Sequence, residues 1–267
     1  MERSEITTHY LQALGLTKNN PTLAYLNEIT ELHVSTFAFC SIGPRLGLDL
    51  PIDLNSLFDR IVLQKRGGYC FEQNGLLFEI LDELGFSVKL YLARVVYNQD
   101  IHPGLTHRIS IVECEGEKYV VDVGFGPLGP REPVKFKHED GVDKNQFFRL
   151  SGPQENEFHM QTMKDGDFFS LYKFELTQYG QADCEIGHFF SHKHPKAVFV
   201  NNLVASRIMK DEIRSLRNQE YWILRPSGDV REKIEDPKQL HNILKEQFDI
   251  QITETESLEL ARDFTSL

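Results

Sequence analysis

The sequence lacks the features that mark several large classes of protein. Its 267 residues include only four cysteines, Cys40, Cys70, Cys114 and Cys184, with no Cys-x-x-Cys pair. A secreted disulfide scaffold would carry more, so we expect free thiols in a reducing compartment. No run of about 18 apolar residues is present, and no apolar segment follows the charged N-terminus, so neither a transmembrane helix nor a secretory signal is expected. These absences predict a cytoplasmic protein without a membrane partner.

Positive charge is also scarce. Lys and Arg number 29 against 40 Asp and Glu, which gives a net charge of -11, and no block of basic residues occurs. Such a surface repels phosphate backbones, so a nucleic-acid partner is not expected. An anionic small molecule would need hydrogen-bond donors at its binding site, because the net negative charge of the protein repels it.

The spacing of apolar residues divides the chain into three parts. It is helical up to about residue 85, alternates as in β-strands from Val88 to about residue 180, and is mixed thereafter. In the last part the sequence predicts a strand over Val198–Ser206 and an amphipathic helix over Leu240–Phe248. We therefore predict an α+β protein with segments 1–85, 86–190 and 191–267.

The run from Arg66 to Asn74, Arg-Gly-Gly-Tyr-Cys-Phe-Glu-Gln-Asn, is the most unusual in the sequence. The glycine pair permits a sharp bend, and a helical pattern begins directly after it, so Cys70 is predicted near a helix N-terminus. There the unpaired N–H groups and the positive end of the helix dipole favour a thiolate. Cys70 is therefore a candidate nucleophile; the alternative is a small buried apolar residue.

A nucleophilic cysteine needs a base, and the base needs a group that orients it. Residues 107–113 and 118–123 have the pattern of a β-hairpin. A two-residue turn at 114–115 places His107 directly opposite Asp122, and a turn at 115–116 makes them diagonal neighbours on the same face. A three-residue turn or a bulge would place them on opposite faces. We predict an imidazole–carboxylate pair; the alternative is that His107 is one of ten histidines and Asp122 only ends a strand.

Together these features resemble the arylamine N-acetyltransferase family, of the bacterial type. The resemblance rests on Arg66–Asn74, on the Thr106-His107 step and on Asp122-Val123-Gly124-Phe125-Gly126, whose order and spacing match the cysteine, histidine and aspartate of that family. It is strongest from Arg66 to about Pro130. Ser41-Ile42-Gly43-Pro44 stands where the family usually has Pro-Phe-Glu-Asn.

The resemblance implies a fold, a reaction and a set of site residues. The fold is an N-terminal helical bundle, a central antiparallel β-barrel and a C-terminal α/β lid around a cysteine-protease-like core. The reaction is transfer of an acetyl group from acetyl-CoA, through an acetyl-cysteine, to the nitrogen of an arylamine or arylhydrazine, with no metal. The implied catalytic residues are Cys70, His107 and Asp122, and the implied coenzyme A contacts are Thr106, Phe125 and Gly126.

The glycine-rich loop after Asp122 fits neither the dinucleotide fingerprint nor the P-loop. It offers backbone N–H groups at Gly124, Gly126 and Gly129 as local donors for the anionic acetyl-CoA. Two functional alternatives stay open. One is a cysteine-dependent amide synthase or thioester hydrolase on the same triad, and the other is a non-catalytic protein that keeps the fold and binds CoA or a partner; the intact triad argues against the second.

A separate cluster has the residue types of a zinc site. Cys184, His188 and His192 are spaced by four, and His194 follows. Pro195 breaks the segment immediately afterwards, so we expect a solvated helix end and no metal.

Overall fold

The first part of the chain is helical, as predicted. The computed structural model describes residues 1–136, 147–154 and 156–265. Within residues 1–85, two helix starts have side-chain caps: Thr22 accepts the N–H of Tyr25, and Asp53 accepts the N–H of Ser56. The elements are α1 (Arg3–Ala13), α2 (Leu23–Thr36), the short strand β1 (Phe39–Cys40), α3 (Ile42–Arg45), α4 (Leu54–Phe58), a π-helical turn (Asp59–Leu63) and α5 (Cys70–Glu83).

Helix α5 lies in the centre of this region, and Cys70 is its first residue. Leu76, Leu77, Ile80 and Leu81 are each at most 1% exposed and belong to one apolar core. Burying a leucine side chain stabilises a fold by about 1.5–3 kcal/mol. The position of Cys70 is therefore fixed by packing along the whole helix.

An antiparallel sheet forms the middle of the chain. Its strands are β2 (Ser87–Val95), β3 (His107–Cys114), β4 (Glu117–Val121), β5 (Val134–Lys135), β6 (Phe148–Gln154), β7 (Glu157–Lys164) and β8 (Asp167–Glu175). The described strands follow the order β5-β4-β3-β2-β8-β7-β6. The edge strands β5 and β6 contact each other, so the sheet nearly closes into a barrel.

The β3–β4 hairpin turns at Glu115 and Gly116. Ser110 lies opposite Val121, and Cys114 lies opposite Glu117. This register corresponds to the second of the two turns considered above. It makes His107, at the start of β3, a diagonal neighbour of the residue that follows β4.

The last third of the chain forms a second sheet with helices. Its elements are α6 (Gln181–Lys193), α7 (Val198–Asn201), β9 (Val204–Ile208), β10 (Ile213–Arg217), β11 (Glu220–Leu224), β12 (Val230–Lys233), α8 (Pro237–Phe248), α9 (Glu254–Leu260) and a 3₁₀ turn (Arg262–Thr265). The predicted strand over Val198–Ser206 is wrong in its first half. Residues 198–201 are helical because the side-chain amides of Asn201 and Asn202 donate to the carbonyls four residues earlier.

The second sheet takes one strand from the N-terminal part of the chain. Its order is β1-β9-β10-β11-β12, with Phe39 opposite Ser206. Ser41 fixes this junction, because its Oγ donates to the carbonyl of Asn202 at 2.7 Å and accepts the N–H of Val204 at 2.9 Å. Among the described helices, none has both the length and the apolar character needed to cross a bilayer.

Candidate active site

The first turn of α5 is held by a buried ion pair. The N–H of Tyr69, the residue before the helix, donates to Glu72 Oε2 at 3.0 Å. Arg60 Nε in turn donates to Glu72 Oε1 at 2.6 Å, and the Glu72 side chain is only 2% exposed. A carboxylate that accepts donors from both sides keeps one orientation. Cys70, itself 2% exposed, is thereby held at the helix start.

His107 and Asp122 form a second buried pair. His107 Nε2 lies 2.7 Å from Asp122 Oδ2. Burial alone would lower the pKa of His107, but the charge and hydrogen bond of Asp122 outweigh it and raise the pKa to about 10. Burial would likewise raise the pKa of Asp122, and the charge and hydrogen bond of His107 lower it instead. The pair therefore favours an imidazolium beside a carboxylate.

The structure brings Cys70 next to this pair. Cys70 Sγ lies 3.5 Å from the carbonyl oxygen of Thr106, the residue before His107. Interaction with the Cys70 side chain also raises the pKa of the His107 ring. The three residues singled out in the sequence thus converge at the junction of α5 and the barrel.

Asn74 is a site residue that the sequence did not assign. Its Nδ2 donates to Asp122 Oδ1 at 2.8 Å and to the carbonyl of Arg108 at 2.7 Å. Its Oδ1 accepts the N–H of Val123 at 2.9 Å. Asn74 follows Cys70 by four residues and so lies on the same helix face. The spacing of four residues between Cys70 and Asn74, within the unusual run, is the sequence feature that could have identified Asn74.

Gly124 lets the loop after β4 pack directly on α5. A Cβ at this position would lie 2.8 Å from Cys70 Cα and 2.7 Å from Asn74 Nδ2. Its N–H donates to Asp122 Oδ1 at 3.0 Å. The absence of a side chain at Gly124 therefore allows the carboxylate of Asp122 to approach the nucleophile's helix.

Two of the three predicted CoA contacts, Thr106 and Phe125, lie against triad residues. Thr106 contacts Cys70 through its carbonyl, and the Phe125 ring meets the His107 ring edge-on, with 5.2 Å between centroids. Gly126 lies against Phe39, at the edge of the second sheet. Beyond Gly126 the same loop lines a cavity of about 1000 Å³, bounded by the barrel and the second sheet. The loop thus connects the triad with the cavity.

The cluster on α6 differs from the sequence expectation. Among the described residues, no group of three or more His, Cys, Asp or Glu is arranged to hold a metal ion. The expected solvated helix end is wrong, because His188 and His192 are only 5% and 7% exposed. His188 is instead bonded to Tyr69 and to the carbonyl of Leu50.

In this structure a thiol, an imidazole and a carboxylate are buried together where a helical region meets an antiparallel barrel. These three groups are typical of cysteine-dependent acyl-transfer enzymes. A family model described as "N-acetyltransferase" matches residues 22–257. An arylamine N-acetyltransferase of Mycobacterium tuberculosis is 31% identical over 246 residues, 88% of this chain and 85% of that protein. The chain belongs to the arylamine N-acetyltransferase family, a family of acyltransferases.

Solved structures agree with this assignment. The arylamine N-acetyltransferase of Salmonella typhimurium matches with a TM-score of 0.90 at 26% identity, covering 96% of this chain and 98% of that one. The Mycobacterium marinum enzyme, solved in complex with CoA, matches with a TM-score of 0.88 at 28% identity, with the same coverage of 96% and 98%. The mixed fold with its nearly closed antiparallel barrel is therefore shared with these enzymes.

Proposed function

We propose that this protein transfers an acetyl group from acetyl-CoA to the nitrogen of an arylamine or arylhydrazine through an acetyl-Cys70 intermediate. The observation that carries the proposal is the convergence of Cys70, His107 and Asp122, within a chain of the arylamine N-acetyltransferase family. Cys70 is the nucleophile, His107 is the base, and Asp122 orients the imidazole and stabilises its charged form.

In the first half-reaction Cys70 Sγ attacks the thioester carbonyl carbon of acetyl-CoA. His107, whose pKa is raised by the charge and hydrogen bond of Asp122, takes the proton of the thiol. As the new C–S bond forms, the bond to the CoA sulfur breaks, and the imidazolium protonates the departing thiolate. CoA leaves as a thiol, and His107 becomes neutral beside the acetylated cysteine.

In the second half-reaction the amine nitrogen attacks the carbonyl carbon of acetyl-Cys70. Neutral His107 accepts the proton that the nitrogen loses, and the bond to Cys70 Sγ breaks. The products are the N-acetylated amine and the regenerated Cys70–His107 pair. Water in place of the amine would give acetate, which is the reaction of the alternative thioester hydrolase.

The donor is best accommodated along the loop after Asp122. Thr106, Phe125 and Gly126 are proposed to line the channel to Cys70, and the CoA complex of the M. marinum relative supports a CoA site in this fold. The cavity beside the loop is locally less acidic than the chain, whose net charge is -11. Four carboxylates line it against the five basic side chains of Arg131, Lys135, Arg149, Lys210 and Arg225.

Aromatic rings beside His107 favour a planar acceptor. The centroids of Phe125 and Tyr172 lie 5.2 and 4.9 Å from that of His107. Tyr172 is fully buried, so Phe125 is the ring that meets an aromatic amine in a stacked or edge-on contact. We also propose a cytoplasmic enzyme, because Cys40, Cys70, Cys114 and Cys184 are all free thiols and a reducing compartment keeps them so.

Steady-state kinetics with a panel of arylamines and hydrazines test this function. One nucleophile that serves two substrates in turn predicts parallel double-reciprocal lines when acetyl-CoA is varied at several acceptor concentrations. Release of acetate without acceptor, at a rate unchanged by any amine of the panel, would favour the hydrolase. Intersecting lines would indicate direct transfer in a ternary complex and would contradict the proposal.

A further inference from the structure

Helix α6 contacts the residue that precedes the nucleophile. Tyr69 Oη lies 2.5 Å from His188 Nδ1. The two rings are stacked, with an interplanar angle of 17° and 5.7 Å between centroids. Tyr69 is fully buried and His188 is 5% exposed. The contact therefore joins α6 to the start of α5 without access to solvent.

The direction of this hydrogen bond follows from the other ring nitrogen. His188 Nε2 lies 2.7 Å from the carbonyl oxygen of Leu50, which can only accept, so Nε2 carries the hydrogen. Burial, reinforced by the charge of His192, lowers the pKa of His188 to about 4, so the ring is neutral near pH 7. Nδ1 is then an acceptor, and Tyr69 donates to it.

His188 is itself held in place on α6. His192 Nδ1 donates to the His188 carbonyl at 2.7 Å. The two imidazole rings also stack, with 4.1 Å between centroids. The acceptor for Tyr69 is thus a rigid group, and its position is set by the helix.

The same helix also approaches the segment that leads into the strand of the base. A Cβ at Gly187 would lie 2.5 Å from the carbonyl oxygen of Leu105 and 2.7 Å from Phe71 Cζ. Leu105 lies two residues before His107, and Phe71 directly follows Cys70. Because residue 187 is glycine, α6 packs against the chain segments that supply Cys70 and His107.

We propose that the Tyr69–His188 hydrogen bond is a positioning contact that sets the start of α5, so that the Cys70 thiol faces His107. Tyr69 and His188 act through Cys70 and are positioning residues without a step of their own in the reaction. The inference rests on the proposed function, in which Cys70 is the nucleophile.

The test measures the rate at which acetyl-CoA acetylates Cys70 in single-turnover experiments that are quenched at set times. Tyr69→Phe keeps the stacked ring and removes one oxygen atom. His188→Leu removes the side-chain acceptor and leaves the more distant His188 carbonyl, 3.3 Å from Tyr69 Oη. Since small displacements of a reacting group slow a reaction by up to about 100-fold, we expect each variant to acetylate roughly 10- to 100-fold more slowly, with the KM for acetyl-CoA nearly unchanged. The double variant should be no slower than the slower single variant, because both lose the same contact.

Two further variants separate positioning from general stability. His188→Asn keeps an acceptor atom at the position of Nδ1 and should restore the rate to within about threefold of wild type. Tyr25→Phe removes the hydroxyl from another buried tyrosine, whose Oη donates to the carbonyl of Thr17 at 2.9 Å. We expect Tyr25→Phe to lower the melting temperature while keeping the wild-type acetylation rate.

The inference would be overturned by a wild-type rate in Tyr69→Phe or by an equal loss of rate in Tyr25→Phe. A rate in His188→Asn as low as in His188→Leu would also overturn it. If Tyr69→Phe does not fold, the comparison of the two His188 variants decides. A second measurement in the same variants is the rate of alkylation of the Cys70 peptide by iodoacetamide. This measurement requires no acetyl donor. If wild type forms no acetyl-Cys70, the proposed function fails, and the alkylation rates still decide on the positioning contact.

Discussion

Both oxygens of the Asp122 carboxylate are occupied, and the one that faces His107 lies 2.7 Å from Nε2 of the imidazole. The other oxygen accepts the Asn74 side chain at 2.8 Å and the N–H of Gly124 at 3.0 Å. A carboxylate fixed in this way can hold the imidazole in one tautomer and one orientation.

Asp122→Asn removes the negative charge and keeps the shape of the side chain. The amide cannot stabilise the imidazolium, so we expect kcat/KM to fall by about 10³–10⁴. Circular dichroism should show a folded protein, since Asn can keep part of the hydrogen bonding. A folded variant with kcat/KM within tenfold of wild type would contradict the role of Asp122.

Asn74→Ala leaves the Arg108 carbonyl and the Val123 N–H without their partner and frees one oxygen of Asp122. We expect a loss of stability of about 1–3 kcal/mol and a fall in kcat/KM of roughly 10- to 100-fold. Thr30→Val is the matched control, because Thr30 Oγ1 donates only to carbonyls of its own helix. An equal loss of activity in both variants would show that Asn74 acts through stability alone.

The local parts of this site are predictable from the sequence. The glycine pair before a helical pattern predicts Cys70 at a helix start, and α5 begins at Cys70. Alternation and the turn residues predict the β3–β4 hairpin, whose register places His107 diagonal to Asp122. Both inferences rest on patterns of apolar and turn residues that span only a short stretch of the chain.

The contacts between distant segments are not predictable in this way. Asn74 and Asp122 are 48 residues apart, and Tyr69 and His188 are 119 residues apart. Neither pairing has a local signal, because both depend on how α5, the barrel and α6 pack together. For the same reason the two residues of β1 gave no sign that they join the second sheet.

The reactivity of the four thiols should differ. Burial raises the pKa of Cys40 to about 12 and that of Cys184 to about 11, and it also raises the pKa of Cys114. These three thiols are therefore protonated at pH 7, whereas Cys70 faces an imidazolium. Substoichiometric iodoacetamide should label the Cys70 peptide first, and prior acetyl-CoA should protect it. Even labelling of all four cysteine peptides would contradict an activated Cys70.

The contact that anchors the loop before Cys70 should stabilise the protein at neutral pH and lose its effect at acidic pH. Arg66 donates to both carboxylate oxygens of Glu256, and this hydrogen bonding lowers the pKa of Glu256 to about 2. A pKa lower in the folded than in the unfolded state stabilises the fold above about pH 4.5, and this contribution is lost as the pH falls towards 2. Glu256→Gln should therefore lower the melting temperature at pH 7 but hardly at pH 2.

Glu254→Gln, on an exposed position of the same helix, is the control for that measurement. It removes the same charge from α9 without touching Arg66. Equal shifts of the melting temperature in both variants at pH 7 would show that the net charge of the helix matters and the Arg66–Glu256 pair does not.

The most direct test of the account is mass spectrometry of the protein after brief incubation with acetyl-CoA and no amine. The account predicts one acetyl group per chain, located on the peptide that contains Cys70, released as N-acetyl product when an arylamine is added and absent in Cys70→Ser and His107→Gln. An enzyme that acetylates arylamines but carries no acetyl group on Cys70 under these conditions would contradict it.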